Sequence, residues 1–182
     1  MKKRIIIAII SALCVVTIGV GSAIAYISSH SGPVVNTFTV GNVELELTET
    51  TGETYQLLPG ATVKKDPLVT VLKGSEESYV YVKLDRSGDL DSLVNYQLED
   101  GWHLLGGYDG VYYRQVEYAA VNMKYSVFKN NEMTVKDDVT KERMAQIDEE
   151  SCAMVVTAYA IQTTAVESPA EGWRNLQMEY GR

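Results

Sequence analysis

Four residues with oxygen-bearing side chains alternate through one short segment: Asp85, Ser87, Asp89 and Asp91. Calcium loops place oxygen ligands at every second position, so the spacing makes these residues a candidate calcium site. An EF-hand would also need glycine at position 90 and glutamate at position 96, where the chain has leucine and tyrosine. The alternative is a polar turn that leads into a short helix over residues 90–93, and the incomplete ligand set favours it.

The residue patterns of common enzymes are missing from the sequence. Its two histidines, His30 and His103, lie in no H-E-x-x-H zinc motif. There is no G-x-S-x-G elbow and no glycine-rich nucleotide loop. Cys152 stands beside an apolar run, where a small buried hydrophobic residue is expected rather than a nucleophile. The sequence therefore predicts no catalytic residues and no cofactor, and we expect a protein that is not an enzyme.

Short runs of β-branched and aromatic residues predict many strands. These runs cover residues 43–47, 68–72, 79–84, 94–98, 111–116, 125–128, 133–135 and 154–161. Turn pairs separate them, among them Pro59-Gly60, Asp109-Gly110 and Asn130-Asn131. Short strands with frequent turns predict a mainly β fold, an antiparallel two-sheet sandwich that resembles a jelly roll.

Two short helices are expected among the strands. Thr140 is suited to cap a helix over residues 141–147, with Val139 and Met144 at the positions of a hydrophobic staple. Residues 168–171 read S-P-A-E, a capping box with proline at the first helical position. Trp173 and Leu176 lie three residues apart in this second helix, so we expect both side chains to dock on the sandwich.

Residues 1–25 have the three parts of a secretory signal. A positive start, M-K-K-R, precedes an apolar run, and the run ends in the small residues of A-I-A. We therefore expect cleavage between Ala25 and Tyr26, which leaves residues 26–182 as a single sandwich domain. The alternative is an uncleaved anchor, because the run is long enough to span a bilayer core of ~30 Å.

The charge balance of the chain is acidic, with a net charge of −8. Removal of the signal leaves thirteen basic against twenty-four acidic side chains, a net charge of −11. Such a surface repels nucleic acid and anionic lipid. We expect no nucleic-acid partner, and contact with a membrane only through the uncleaved precursor.

The junction and several later segments resemble one group of exported proteins. From Ala25 the chain reads A-Y-I-S-S-H-S-G-P-V-V-N-T-F-T-V-G. This stretch resembles the junction and first strand of proteins processed by the SipW type of signal peptidase, the group of the biofilm fibre protein TasA and its camelysin relatives. S-E-E-S-Y-V-Y-V-K over residues 75–83 and T-A-Y-A-I-Q over residues 157–162 are similar to its pilin-like subgroup, which includes BsaA. The chain departs from the family at Ile27, where phenylalanine is frequent, and at Gly172, where alanine usually precedes the tryptophan.

The resemblance implies a jelly-roll-like sandwich, secretion by a Gram-positive-type bacterium, and assembly into extracellular fibres of the biofilm matrix. The implied partners are identical subunits and a SipW-type signal peptidase. Camelysin itself carries a metalloprotease label. A secreted metalloprotease remains an alternative by analogy alone, because the chain offers no histidine pair to hold zinc.

A hypothesis for assembly follows from the N-terminal stretch that cleavage would free. The edge strand of a sheet has unpaired N–H and C=O groups, and an extended segment of another molecule can pair with them. Residues 26–40 suit this donor role because they carry apolar and β-prone side chains: Tyr26, Val34, Val35, Phe38 and Val40. A head-to-tail contact of this kind does not close, so filaments result. The alternative is that the stretch pairs within its own sheet.

Two further roles remain open. The pilin-like relatives are associated with lysine–asparagine isopeptide bonds, which makes Lys83 and Asn36 candidates here. Such a bond needs an acid nearby in an apolar site that lowers the lysine pKa, and an exposed lysine is the alternative. Tyr79 and Tyr81 share one strand face and could belong to a monomeric cell-surface binding module, although tyrosines are also good strand formers.

Overall fold

A computed structural model describes residues 25–28, 37–51, 54–147 and 152–180 of the chain. The predicted signal up to residue 24, the donor residues Val34 and Val35, and Asn36 lie outside the described residues. The strands within these ranges are β1 (Ala25–Ser28), β2 (Thr37–Val40), β3 (Leu45–Thr48), β4 (Thr54–Leu57), β5 (Thr62–Lys64), β6 (Leu68–Val71), β7 (Ser78–Arg86), β8 (Val94–Leu98), β9 (His103–Leu104), β10 (Val111–Val116), β11 (Met123–Ser126), β12 (Phe128–Val135) and β13 (Met154–Gln162). The helices are α1 (Leu90–Leu93), α2 (Lys141–Met144) and α3 (Pro169–Tyr180), with a 3₁₀ turn at Thr163–Ala165.

The strands form four sheets. The largest has the order β2-β13-β7-β10-β9, two others have the orders β11-β6-β3 and β5-β12-β8, and β1 pairs with β4. Every described ladder is antiparallel except the one between β2 and β13, which is parallel. The predicted mainly β, antiparallel fold is confirmed.

The main core lies between one face of the five-stranded sheet and the two three-stranded sheets. Alternate residues of β7 and β13 point into it, because successive side chains of a strand face opposite sides. Its buried members include Val80, Val82, Ala158, Ala160, Leu45, Leu47, Val69, Val71, Phe128 and Met133. Cys152 is fully buried in the same core, as predicted.

A second, helix-side core lies on the opposite face of the five-stranded sheet, beneath α3. Its buried members are Tyr81, Leu105, Val111, Ile161, Trp173 and Leu176. The Trp173 ring lies 5.5 Å from the ring of Tyr81 and 5.0 Å from that of Tyr159, measured between centroids. The predicted docking of Trp173 and Leu176 is confirmed, since their exposed fractions are 1% and 0%.

The strand predictions hold best where apolar residues alternate. β8 and β10 have the predicted bounds, and β7 and β13 are slightly longer than predicted. The predicted turn at Asn130-Asn131 is instead an irregularity inside β12, where both residues have positive φ (54° and 55°) and the register with β8 shifts. β5 and β9 were not predicted, because they are short and rich in polar residues.

The helices begin at their predicted caps. The N–H of Arg143 donates to Thr140 Oγ1 at 3.2 Å, but α2 ends at Met144, three residues earlier than predicted. The N–H of Glu171 donates to Ser168 Oγ at 3.2 Å, which confirms the cap of α3. The described residues contain a third helix, α1, at the place of the predicted polar turn. No described helix has the length and apolar character needed to cross a lipid bilayer.

Gly172 sets the distance between α3 and the five-stranded sheet. A Cβ at this position would lie 2.5 Å from the hydroxyl oxygen of Tyr81 and 2.9 Å from Cγ2 of Ile161. The Tyr81 side chain cannot move away from such a Cβ, because it is fully buried and its hydroxyl donates to the Pro169 carbonyl at 2.8 Å. Glycine at position 172 therefore has a packing reason.

We expect Gly172→Ala to lower the free energy of unfolding by about 1–3 kcal/mol, because overpacking outweighs the better helix propensity of alanine. Urea unfolding followed by circular dichroism measures the change. The matched control is Gln177→Ala on the exposed face of α3, which should change stability by less than ~0.5 kcal/mol. Equal or higher stability of Gly172→Ala would contradict the close approach of α3.

Candidate assembly edge

The edge of the five-stranded sheet formed by β2 is the candidate site for assembly. Thr37, Phe38, Thr39 and Val40 lie opposite Ala158, Tyr159, Ala160 and Ile161 in a parallel register. β2 thus covers only the last part of β13. Among the described residues, no strand pairs with residues 154–157 of β13 on that side.

Gly41 ends β2 with a turn that suits glycine. Its φ is +90°, in a region that residues with a Cβ rarely adopt. A Cβ here would also lie 2.8 Å from the side-chain oxygen of Gln162. That same oxygen accepts a hydrogen bond from the N–H of Asn42 at 3.4 Å. The chain can therefore leave β2 and turn towards β3 only with a small residue at this position.

Helix α3 contributes one further contact to β2. The hydroxyl of Tyr180, at the end of α3, donates to the Thr39 carbonyl at 3.1 Å. Burial raises the pKa of this hydroxyl, and the neighbouring Glu179 adds to the effect. The side chain of Val40 is half-buried against the helix-side core.

The pairing of β2 is close to energetic balance. Each backbone hydrogen bond contributes ~1 kcal/mol net, whereas ordering the backbone of each residue costs ~1–2 kcal/mol. The hydrogen bonds of a strand of four residues therefore gain little beyond this cost. Such a strand can leave its own sheet far more readily than the strands of the main core.

The predicted cleavage site lies in another ladder. Ala25 is opposite Leu57, and Tyr26 is opposite Gln56, in the antiparallel pairing of β1 with β4. In the uncut chain the residues on both sides of the predicted scissile bond are therefore paired within the same molecule. Both parts of the predicted donor stretch that the structure describes, β1 and β2, have partners in their own chain.

The four residues of the candidate calcium site do not converge. Ser87 Oγ accepts a hydrogen bond from the N–H of Ala153 at 2.8 Å. Each carboxylate pairs with a different basic side chain: Asp85 with Lys83, Asp89 with Arg143, and Asp91 with Arg86. Within the part of the chain that the structure describes, no three histidine, cysteine or acidic side chains are grouped to hold a metal. The predicted alternative, a short helix over residues 90–93, is confirmed as α1.

Lys83, the isopeptide candidate, is on the helix side of β7 and is partly exposed. Its ammonium lies 2.7 Å from Asp85 Oδ1, and 35% of its side chain is exposed. This is a solvated ion pair rather than an apolar enclosure. Since Asn36 lies outside the described residues, a bond between the two stays a prediction.

The buried lysine of the described chain is Lys65, which the sequence reasoning missed. Its side chain is 1% exposed, and its ammonium lies 2.7 Å from Glu49 Oε1. Lys65 directly follows β5 and lies two residues after the buried Val63, so its side chain continues the inward-facing side of that strand. Its N–H also donates to the Asn131 carbonyl at 2.9 Å, so Lys65 connects β5 with the irregular part of β12.

Asp66, the next residue, anchors the segment after β3. Partial burial opposes ionisation of its carboxyl, but hydrogen bonds from Thr50 and Thr51 outweigh it and lower the pKa to about 2. The N–H groups of both threonines donate to Asp66 Oδ1 at 2.9 Å. Because the pKa is depressed in the folded chain, this contribution to stability is present above the ordinary pKa of 3.8 and is lost as the pH falls towards 2.

Two of the remaining candidates, Tyr81 and Cys152, are not accessible as binding or reactive groups. Tyr81 is covered by α3, and burial strongly raises its pKa, so this tyrosine cannot belong to a binding surface. Burial also raises the pKa of the Cys152 thiol to about 12, which keeps it protonated.

The chain matches no protein-family model, and no curated protein or solved structure is significantly similar to it. The resemblance to the TasA and camelysin group therefore stays a prediction.

We expect Glu49→Leu to cost ~3–5 kcal/mol of unfolding free energy, because it removes the carboxylate that pairs with the buried Lys65 ammonium, and Lys65→Met to cost less, because Glu49 is partly exposed. The double variant should recover most of this loss, since both charges are then absent. Urea unfolding of the four proteins gives the coupling energy. Additive losses in the double variant would show that the two side chains do not interact.

Proposed function

We propose that this protein is a secreted structural subunit of extracellular biofilm-matrix fibres, assembled from identical copies by strand addition. In this proposal the sheets form a two-sheet, jelly-roll-like sandwich. A SipW-type signal peptidase removes residues 1–25, and the mature chain polymerises outside a Gram-positive-type bacterium. The segment from Tyr26 to Val40 is the donor.

The observation that carries the proposal is the parallel pairing of β2 at the edge of β13. β2 contains the predicted donor residues Phe38 and Val40, directly follows the segment of Val34 and Val35 in the sequence, and pairs with four of the nine residues of β13. In a fibre, a donated strand that keeps the parallel register would extend along residues 154–157 as well. The longer ladder would add hydrogen bonds that the four-residue pairing lacks, which favours the assembled state.

Cleavage is the trigger in this mechanism. Before cleavage, Tyr26 continues into the apolar leader and is paired in β1, so the segment is held at both ends. After cleavage, the new N-terminus is free to leave β4 and reach another copy. The acceptor is the β13 edge of the next subunit, which becomes available when that subunit's own β2 moves away.

Gly41 is the proposed hinge. For β2 to pair with another molecule, the tight turn between β2 and β3 must open. Opening releases the positive φ of Gly41, so the exchanged state no longer requires glycine at this position. A substitution that strains only the closed turn therefore shifts the equilibrium towards the exchanged state.

We expect a mature chain that lacks residues 26–35 to form no long fibres, because it keeps β2 but loses the rest of the donor. Negative-stain electron microscopy of the chain that begins at Tyr26 and of the shortened chain tests this. The matched control replaces residues 28–32 with a glycine–serine segment of equal length and should still form fibres. Circular dichroism confirms that each protein is folded, and long fibres of the shortened chain would contradict the donor role.

We also expect Gly41→Ala to increase fibre formation. The closed turn loses about 1–2 kcal/mol through the positive φ, whereas the open turn tolerates alanine. The half-time of fibre growth, followed by light scattering, should fall about five- to thirtyfold if this difference appears fully in the population of open chains.

Gly107→Ala is the control for general destabilisation. Gly107 has a similar φ of +85°, and a Cβ there meets no atom within 4 Å. This variant should be strained in the same way without favouring release of β2. Equal acceleration by both variants would mean that instability, and not hinge opening, drives assembly.

A further inference from the structure

The guanidinium of Arg114 lies against two aromatic rings at one side of the main core. Its Cζ is 4.0 Å from the ring centre of Tyr125 and 5.0 Å from that of Trp102. Trp102 is held in place, because its indole N–H donates to the Ser126 carbonyl at 2.8 Å. Arg114 belongs to β10 and Tyr125 to β11, which is an edge strand of its own sheet. The site is therefore built by three separate segments of the chain.

Arg114 has no acidic partner in the described part of the molecule. Its guanidinium carries five N–H donors, yet it makes no hydrogen bond or ion pair to any described residue. The other arginine near this sheet, Arg86, pairs with both Asp91 and Asp109. Burial lowers the pKa of Arg114, and Tyr125 and Glu99 offset part of the effect. A carboxylate would complement this cation, because its two oxygens can accept hydrogen bonds from the unused donors.

Three acids lie near the site, and two of them have other partners; the third, Glu117, helps to raise the pKa of Tyr125, after burial. Glu99 acts on Arg114 only at a distance, and its Oε1 accepts a hydrogen bond from the N–H of Asp100 at 3.1 Å. The Asp100 carboxylate lies 3.8 Å from the Lys129 ammonium. Gly101 gives the guanidinium its room, because a Cβ there would collide with Nη2 of Arg114.

We propose that Arg114 is a binding site for a carboxylate group, with Trp102 and Tyr125 holding the guanidinium in place. A carboxylate matches the planar fork of arginine, which can donate two parallel hydrogen bonds to it. Leu104 lies opposite Tyr112 in the ladder between β9 and β10 and is 61% exposed. Tyr112 is two residues before Arg114, on the same face of β10. The ligand therefore carries an apolar portion next to its carboxylate. This proposal does not depend on fibre formation.

Two sources can supply the carboxylate. One is a small organic acid in solution. The other is an acidic side chain of a second copy, since the chain has twenty-four acidic against sixteen basic side chains. Both would reach the same guanidinium, and they differ in whether binding depends on protein concentration.

The test follows the indole N–H of Trp102 by two-dimensional NMR, because the chain has only two tryptophans and Trp173 is buried away from the site. Sodium butyrate, a carboxylate with a short apolar chain, is titrated against sodium chloride at equal ionic strength. We expect a saturable shift with butyrate, no comparable shift with chloride, and at least about tenfold weaker binding in Arg114→Gln. Arg114→Lys, which keeps the charge but not the fork, should bind with intermediate strength. It also serves as the second variant if Arg114→Gln does not fold.

A dilution series without butyrate distinguishes the two sources. A shift that grows with protein concentration and is reversed by butyrate assigns the carboxylate to a second copy. A shift seen only with butyrate assigns it to a small acid. If neither series shifts the Trp102 signal, or if wild type and both variants respond equally, the proposal is wrong.

Discussion

The nine-residue antiparallel ladder between β7 and β13 is the element on which the rest of the structure depends. One face of this ladder closes the main core, and the other face supports the helix-side core. Val82 and Ala158 point to the first, and Tyr81 and Ile161 point to the second. Because both strands are buried on both faces, neither can shift register without exposing one of the cores.

In the proposed assembly, the same ladder supplies the acceptor edge. β7 is enclosed between β13 and β10, whereas β2 is the one described strand on the outer side of β13. The edge of β13 is therefore held by the longest described ladder of the fold, whereas β2, the strand that covers this edge, pairs over four residues. A stable acceptor next to an exchangeable strand is the arrangement that strand addition needs. The turn at Gly41 and the hydrogen bond from Tyr180 to the Thr39 carbonyl both stabilise the pairing of β2 with β13 in the closed state.

Local chemistry explains which parts of the fold could be predicted. The caps at Thr140 and Ser168 were predictable because a cap depends on neighbouring residues only. β8 and β10 were predictable because alternation and turn pairs bound them on both sides. The partner of β2 was not, since the choice of partner depends on which edge the other strands leave open. The burial of Lys65 escaped prediction for a related reason: its partner Glu49 lies sixteen residues earlier in the chain, and a lysine without a visible partner is expected outside.

Strand exchange between subunits can be tested most directly with cysteines at one register pair of the β2–β13 ladder. Thr39 and Ala160 are opposite each other. The Cα atoms of opposite residues in neighbouring strands lie within the distance that a disulfide can span. Subunits with Thr39→Cys are mixed with subunits with Ala160→Cys, both in a Cys152→Ser background, and the fibres are oxidised. The account predicts disulfide-linked dimers that contain one chain of each type. Fibres that give no such dimers, while a single chain with both cysteines forms the bond within itself, would contradict it.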